Sequence, residues 1–179
     1  NVIDGCLKND RQAQHELYNY YSNSMLGLCQ RYTKSAEEAE DCMIEGFVRV
    51  FEHLREFRNE SSLETWIRSI MINVSLDHFR KSRECTLDAD LDTIYEYKTN
   101  EAATDVQEVI TTKLQAKMIM QEMMKMPDNY RIIFNMHTID DYTFKDIASA
   151  LEMNESTVRV YYQRARTWLI EKLGNNEEK

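Results

Sequence analysis

The sequence predicts an all-α protein of two small helical domains joined by an acidic linker, the second domain a helix-turn-helix. Apolar residues recur at helical spacing through most of the 179 residues. One Pro and four Gly leave little turn chemistry for a fold built on hairpins. A run of acids breaks the periodicity near the middle. The expected partition is 1–84 for the first domain, 85–102 for the linker and 103–179 for the second domain.

The first helix is expected over 10–32, with Leu17, Tyr20, Tyr21, Met25, Leu28 and Cys29 on its apolar side. The second starts at Ser35, where Ser35-x-x-Glu38 matches a capping box. It continues to about 57 through Cys42, Ile44, Phe47, Val48, Phe51 and Leu54. The third runs from Ser61, again with Ser61-x-x-Glu64, to about 83 through Trp66, Ile67, Ile70, Val74 and Phe79. Residues 84–102 carry six acids and no helical period, which reads as an extended linker, either a plain tether or a functional segment. A Met-rich helix (Met118, Met120, Met123, Met124) is expected over 104–125 and reads as core packing. Pro127 ends it and opens a helix over 128–138.

The last third, 143–173, reads as two helices joined by a tight turn. Phe144, Ile147, Ala148 and Leu151 form one stripe, and Val158, Tyr162, Ala165 and Leu169 form the next. Asn154 is a candidate cap for the second helix. From the opposite side of that helix project Arg159, Gln163, Arg164 and Arg166, the composition a helix needs to lie in a DNA major groove.

Hydrophobic residues at 42% suffice for a core, and 30% charged residues favour a soluble chain. Cysteines at 6, 29, 42 and 85 form no C-x-x-C pair, so reduced thiols in a cytoplasmic protein are expected rather than disulfides or zinc. No apolar run is long enough to insert in a membrane, and no signal-peptide pattern opens the chain. The absence of an initiator Met leads to the expectation that a few native residues have been trimmed. The net charge of −9 opposes phosphate binding. Its distribution matters more: basic segments at 66–83 and 157–172 flank the acidic middle.

Enzymatic readings find no support. A di-iron bundle needs Glu-x-x-His, but Gln12, Val50, Ser75 and Phe134 stand three residues before the four histidines. There is no glycine-rich phosphate loop, no G-x-S-x-G and no H-E-x-x-H. The chain is expected to be no enzyme and to hold neither metal nor cofactor. A second constellation lies at 57–83, where a polar loop of Arg58, Asn59, Glu60, Ser61 and Ser62 leads into a helix with Trp66, Arg68, Asn73, Arg80 and Lys81. Polar loops beside aromatics and cations suit single-stranded DNA. Taken alone, Trp66 reads more readily as core than as a base-stacking residue.

Taken in order, these segments resemble the bacterial RNA polymerase sigma factors of the extracytoplasmic-function type, over almost the full length. AEDCMIEGFVRVFEHLREF (39–57) is similar to the segment that grips the polymerase clamp. FRNESSLETWIRSIMINVSLDHFRK (57–81) is similar to the −10 promoter segment, with its Ser-Ser-x-x-Thr-Trp run and Asn73. MPDNYRIIF (126–134) and TFKDIASALEMNESTVRVYYQRAR (143–166) are similar to the −35-binding domain. The resemblance implies polymerase contacts at Asp41, Glu45, Phe47 and Phe51. It implies capture of the melted −10 strand by Asn59, Glu60, Ser61, Ser62, Trp66 and Asn73, with Arg80 and Lys81 on phosphates. It implies −35 recognition by Thr157, Arg159, Val160, Gln163 and Arg164. It further implies core RNA polymerase, promoter DNA and an anti-sigma factor as partners, and a linker threading toward the RNA exit path. This chain departs from the pattern at Ile44, often Gln in the family, at Glu152, often Gly, and at Val160 and Tyr161, where polar residues are usual.

Overall fold

The computed structural model describes residues 2–85 and 113–174. The chain divides into two compact units, Asn1–Cys85 and Thr86–Lys179. The expected linker lies largely in 86–112, outside the described residues, as does the start of the helix expected from 104.

The first unit contains α1 (Val2–Leu7), α2 (Arg11–Tyr32), α3 (Ala36–His53) and α4 (Leu63–Cys85), with a 3-10 turn at Leu54–Glu56. α1 was not foreseen, because six residues are too few to show a helical period. It folds back on α2 through a left-handed residue, Asn9 (φ 59°). A Cβ on Gly5 would come 2.5 Å from that of Ala13, so the close approach depends on glycine. Asp10 caps α2, accepting from the Gln12 amide at 3.0 Å. At α3 the Ser35 hydroxyl accepts from the Glu38 amide at 3.1 Å, and Glu38 reaches back to the Lys34 amide at 2.9 Å. The returning bond thus lands one residue before the cap.

α4 starts one residue later than the Ser61-x-x-Glu64 spacing implies. Ser62 is the cap: its hydroxyl accepts from the Thr65 amide at 3.1 Å and pairs with the Thr65 hydroxyl at 2.8 Å. Ser62 wins because its hydroxyl takes a first-turn amide while the Thr65 hydroxyl holds it in place.

α2, α3 and α4 each pack against the other two. Leu17, Met25, Leu28, Val50, Ile67 and Met71 are at most 2% exposed, each such burial contributing about 1.5–3 kcal/mol before entropy. Cys29 and Cys42 are free thiols in this core. Burial pushes Cys42 up to about 12, so it stays protonated and packs as a small hydrophobe. Three side chains expected on apolar faces lie outside it: Tyr20 is 78% exposed, Ile44 54% and Val48 50%. The inward stripe of α3 runs Ala39, Cys42, Met43, Phe47, Val50, which leaves Ile44 and Val48 together beyond its edge. Tyr20 keeps its hydroxyl in water and packs edge-on against Tyr21, with centroids 4.8 Å apart.

The second unit contains α5 (Lys113–Met123), α6 (Asp128–Phe134), α7 (Phe144–Leu151) and α8 (Glu155–Gly174). The helix expected over 128–138 changes pitch: α6 ends at Phe134 and the chain continues as a π turn, Asn135–Ile139. Met123 is buried with Ile119, Met126, Phe134, Ala165 and Leu169 in one cluster, against which Met120 packs. Met118 and Met124 are both 40% exposed, so only half of the methionine stripe is core.

Thr143 caps α7, accepting from the Asp146 amide at 3.2 Å. The turn to α8 is left-handed at Glu152 (φ 54°, ψ 44°), and the Met153 amide returns to the Ala148 carbonyl at 2.9 Å. This closes a Schellman motif in the position where the family resemblance favours glycine. α8 then starts with the Asn154 carbonyl accepting from the Val158 amide at 3.1 Å.

A non-glycine residue in the left-handed region carries a steric cost. Glu152 is exposed, so Glu152→Gly should stabilise the second unit by about 1 kcal/mol, visible as a higher urea midpoint at unchanged slope.

Candidate nucleic-acid and protein interfaces

In α8 the inward stripe is Val158, Ala165 and Leu169, each at most 1% exposed. Tyr162, half-buried, sits in an aromatic group with Phe134, His137 and Phe144 (centroid distances 6.0, 4.7 and 5.3 Å). This group fixes α8 against α7 and the π turn. On the open side Val160 is 48% exposed, and Arg159 and Gln163 are exposed too. Thr157 and Arg164 are half-buried at one border. Five residues apart, Arg159 and Arg164 lie about 140° apart around the axis and flank the open face. Arg164 donates to the Tyr130 hydroxyl at 3.3 Å and lies 6.0 Å over the Tyr161 ring. Arg159 is held by Glu155 and lies 4.6 Å over the Phe144 ring. Tyr161 packs on Tyr130 at 5.4 Å, so it supports Arg164 rather than presenting a bare ring.

The loop before α4 presents Arg58, Asn59, Glu60, Ser61 and Ser62 as exposed side chains. Asn59 is left-handed (φ 56°), a conformation asparagine adopts at little cost. Trp66 is half-buried and packs on Phe57 with centroids 5.4 Å apart, so one part of its indole is structural and the rest borders the loop. Asn73 and Lys81 are exposed further along α4, while Arg80 is paired with Asp77. The start of α4 therefore combines an open polar loop with a partly exposed aromatic, while Arg80 and Lys81 lie about 25 Å further along the helix.

On α3, Asp41 is exposed and Phe51 half-buried. Phe47 departs from the expected contact: it is 3% exposed, turned inward onto Tyr18 at 4.7 Å and Phe51 at 6.3 Å. It is core and cannot meet a partner directly. The apolar side chains open to a partner here are Ile44 and Val48, which the periodic reading assigned to the interior. Glu45 is engaged within the domain. It accepts from Arg49 at 2.6 Å and meets the His78 ring at 2.8 Å. Arg49 also donates to Asp77 at 3.0 Å, and Asp77 accepts from Arg80. The chain His78–Glu45–Arg49–Asp77–Arg80 therefore stitches α3 to α4. The hydrogen bond with His78, helped by Arg49, holds Glu45 below its ordinary value. Burial would raise Asp77, but its bonds to Arg80 and Arg49 outweigh it and hold the carboxyl low. No helix among the described residues is long and apolar enough to cross a membrane.

Comparison with known proteins accounts for both halves. Residues 17–84 match the family model for sigma-70 region 2, and residues 116–169 match that for sigma-70 region 4. The chain belongs to the sigma-70 family of RNA polymerase sigma factors. Within it the chain is of the extracytoplasmic-function type. It is 27% identical to the ECF sigma factor SigW of Bacillus subtilis, covering 93% of this chain and 91% of that one. It is 25% identical to the RNA polymerase sigma-H factor of Pseudomonas aeruginosa, covering 92% and 88%. The fold is shared with the sigma factor RpoE of Bartonella quintana in complex with the anti-sigma factor NepR. That likeness has a TM-score of 0.52 at 15% identity and covers 89% of this chain and 96% of that one. It is shared also with CnrH in complex with the cytosolic domain of CnrY, at TM-score 0.50 and 15% identity, covering 97% and 96%. As a member of this family the chain serves promoter-specific initiation of transcription, with core RNA polymerase and promoter DNA as partners.

The Glu45 and Asp77 carboxyls have lower values folded than unfolded, so their contribution is present above the ordinary values of 4.5 and 3.8 and is lost as pH falls through the depressed ones. Urea unfolding followed at Trp66 in a Trp168→Phe background should show stability falling on acidification below the ordinary range. Arg49→Met should flatten that fall, and an unchanged acid limb would show that the network contributes nothing.

Proposed function

We propose that this chain brings core RNA polymerase to promoters through two DNA contacts and helps to melt them. α8 reads the duplex −35 element with Thr157, Arg159, Val160, Gln163 and Arg164. The loop and α4 hold the unpaired −10 strand through Asn59, Glu60, Ser61, Ser62, Trp66 and Asn73, with Arg80 and Lys81 toward phosphates. Asp41, Glu45 and Phe51, beside the exposed Ile44 and Val48, meet the polymerase. The segment 85–102 connects the two DNA-binding domains. Because its work is done on the polymerase, the protein acts in the cytoplasm, and it is bound by an anti-sigma factor, as the sigma factor RpoE of Bartonella quintana is in its complex with NepR.

The observation that carries this reading is the division of α8: Val158, Ala165 and Leu169 inward, Arg159, Val160 and Gln163 outward, the whole helix keyed to a capped α7. Such a helix can enter a major groove while its partner crosses the backbone. Melting requires no catalytic side chain. Holding extruded bases in a polar, aromatic-floored loop offsets an unstacking cost of a few kcal/mol per step.

The test is run-off transcription with core polymerase over a genomic promoter library. The chain should direct initiation from a defined set of promoters, and no initiation anywhere would end the proposal. Arg164→Ala should weaken use of duplex −35 DNA by about 1–3 kcal/mol while leaving binding to a single-stranded −10 oligonucleotide unchanged. Equal loss of both would remove the two-site division. In permanganate footprints, Asn73→Ala should reduce the reactivity of unpaired thymines more than it reduces duplex binding.

A further inference from the structure

The first turn of α8 holds an acid where phosphate binding alone would favour none. Glu155 Oε1 accepts both the Nε–H and an Nη2–H of Arg159, at 3.1 and 2.6 Å. The guanidinium rests 4.6 Å over the Phe144 ring, which stacks on His137 at 4.1 Å. These groups border a cleft of about 350 Å³ that Thr143 and Lys145 also line. Arg159 is 58% exposed and Glu155 43%, yet the pair is fixed from two sides, by the carboxylate and by an aromatic floor from α7. An arginine that only sought phosphate would gain from mobility and lose from an adjacent carboxylate, which repels phosphate oxygens.

What the pair presents outward is a base-edge pattern. Oε1 of Glu155 takes both bonds from Arg159, and no bond to Oε2 is found among the described residues. Arg159 keeps Nη1 and the remaining Nη2–H. An acceptor and a set of donors therefore stand side by side at the N-terminal end of the recognition helix, the part that meets base edges in helix-turn-helix complexes. In the major groove a carboxylate accepts from the N4 amino group of cytosine, and arginine donates to O6 and N7 of guanine.

Building on the proposed role of α8 at the −35 element, we propose that Glu155 is a specificity-determining residue. It accepts from cytosine N4 while holding Arg159 on an adjacent guanine, so the two read neighbouring G·C pairs as one unit. Lys145, outside the pair, is left for the backbone.

The test is run-off transcription with holoenzyme on a promoter pool randomised through the −35 element, for the wild type, Glu155→Ala, Glu155→Gln, Arg159→Ala and the double alanine variant. The wild type should favour cytosine at one position on the order of tenfold. Glu155→Ala should abolish that preference and weaken the neighbouring guanine preference, leaving other positions intact. Glu155→Gln should shift the cytosine position toward adenine, because an amide both donates and accepts. The double variant should lose no more than the larger single loss at these two positions. If the Glu155 variants instead change all sequences alike, the residue acts only through charge and the proposal fails, with −35 reading by α8 intact. If the wild type itself shows no base preference in the element, that underlying reading fails too.

Discussion

Met71 of α4 lies where α3 has no side chain, against Gly46, and a Cβ there would overlap the methionine sulfur. Both residues are buried, so the two helices meet backbone to side chain. The rest of the first unit follows from that approach. Glu45 and Arg49 flank Gly46 on α3, while Asp77 and His78 follow Met71 on α4. With the helices this near, short and long side chains alike reach across, and the chain from His78 to Arg80 closes. A bulkier residue at 46 would meet the Met71 sulfur and force that side chain to move, and any widening of the seam would strain the two bonds that cross it, His78–Glu45 and Arg49–Asp77. The helix proposed to meet polymerase and the helix proposed to meet promoter DNA are thereby held as one piece.

The periods and caps that gave the helices are local, and local signals were readable. The Ser35 cap and the stripes of α7 and α8 follow from residue type and spacing, whereas the special turn position of Glu152 was legible only through the family resemblance. Much of what escaped is decided by neighbours distant in sequence, and the rest by local choices that periodicity does not resolve. Ile44 and Val48 fit a helical apolar pattern as well as Phe47 does, and only packing of α3 on α2 and α4 turns Phe47 in and leaves the others out. Ser61 and Ser62 both offer a hydroxyl before α4, and Thr65 decides between them. α1 is too short to announce itself, and no Pro or Gly stands in Asn135–Ile139 to mark the π turn after Phe134. The candidate site divides the same way: the exposed loop residues and the α8 face were legible, whereas the engagement of Glu45 by His78, 33 residues away, was not.

The two candidate DNA contacts are built by different means. In α8 the arginines proposed to read the duplex are braced by Phe144, Tyr130 and Tyr161, as suits a surface that must match base edges of a regular duplex. The loop before α4 is open and polar, with one left-handed asparagine and a partly buried tryptophan beneath it. Unpaired bases vary in position and can be turned, so a site for them needs stacking surface and adaptable hydrogen-bonding groups more than fixed geometry.

The net charge of −9 then finds a structural counterpart. Arg49, Arg80, Lys125, Arg131 and Arg159 each have a carboxylate within 3.0 Å in the folded chain. A phosphate approaching one of them must displace an internal partner, so the gain on binding is a difference between two ion pairs rather than the full attraction. Affinity for arbitrary DNA is reduced by the same exchange at every such contact, while base-edge contacts are untouched by it. Held on polymerase, the protein no longer relies on that affinity, because tethering raises the local concentration of promoter at the two proposed sites. Internal pairing of its cations thus favours recognition in the assembly over binding by the chain alone.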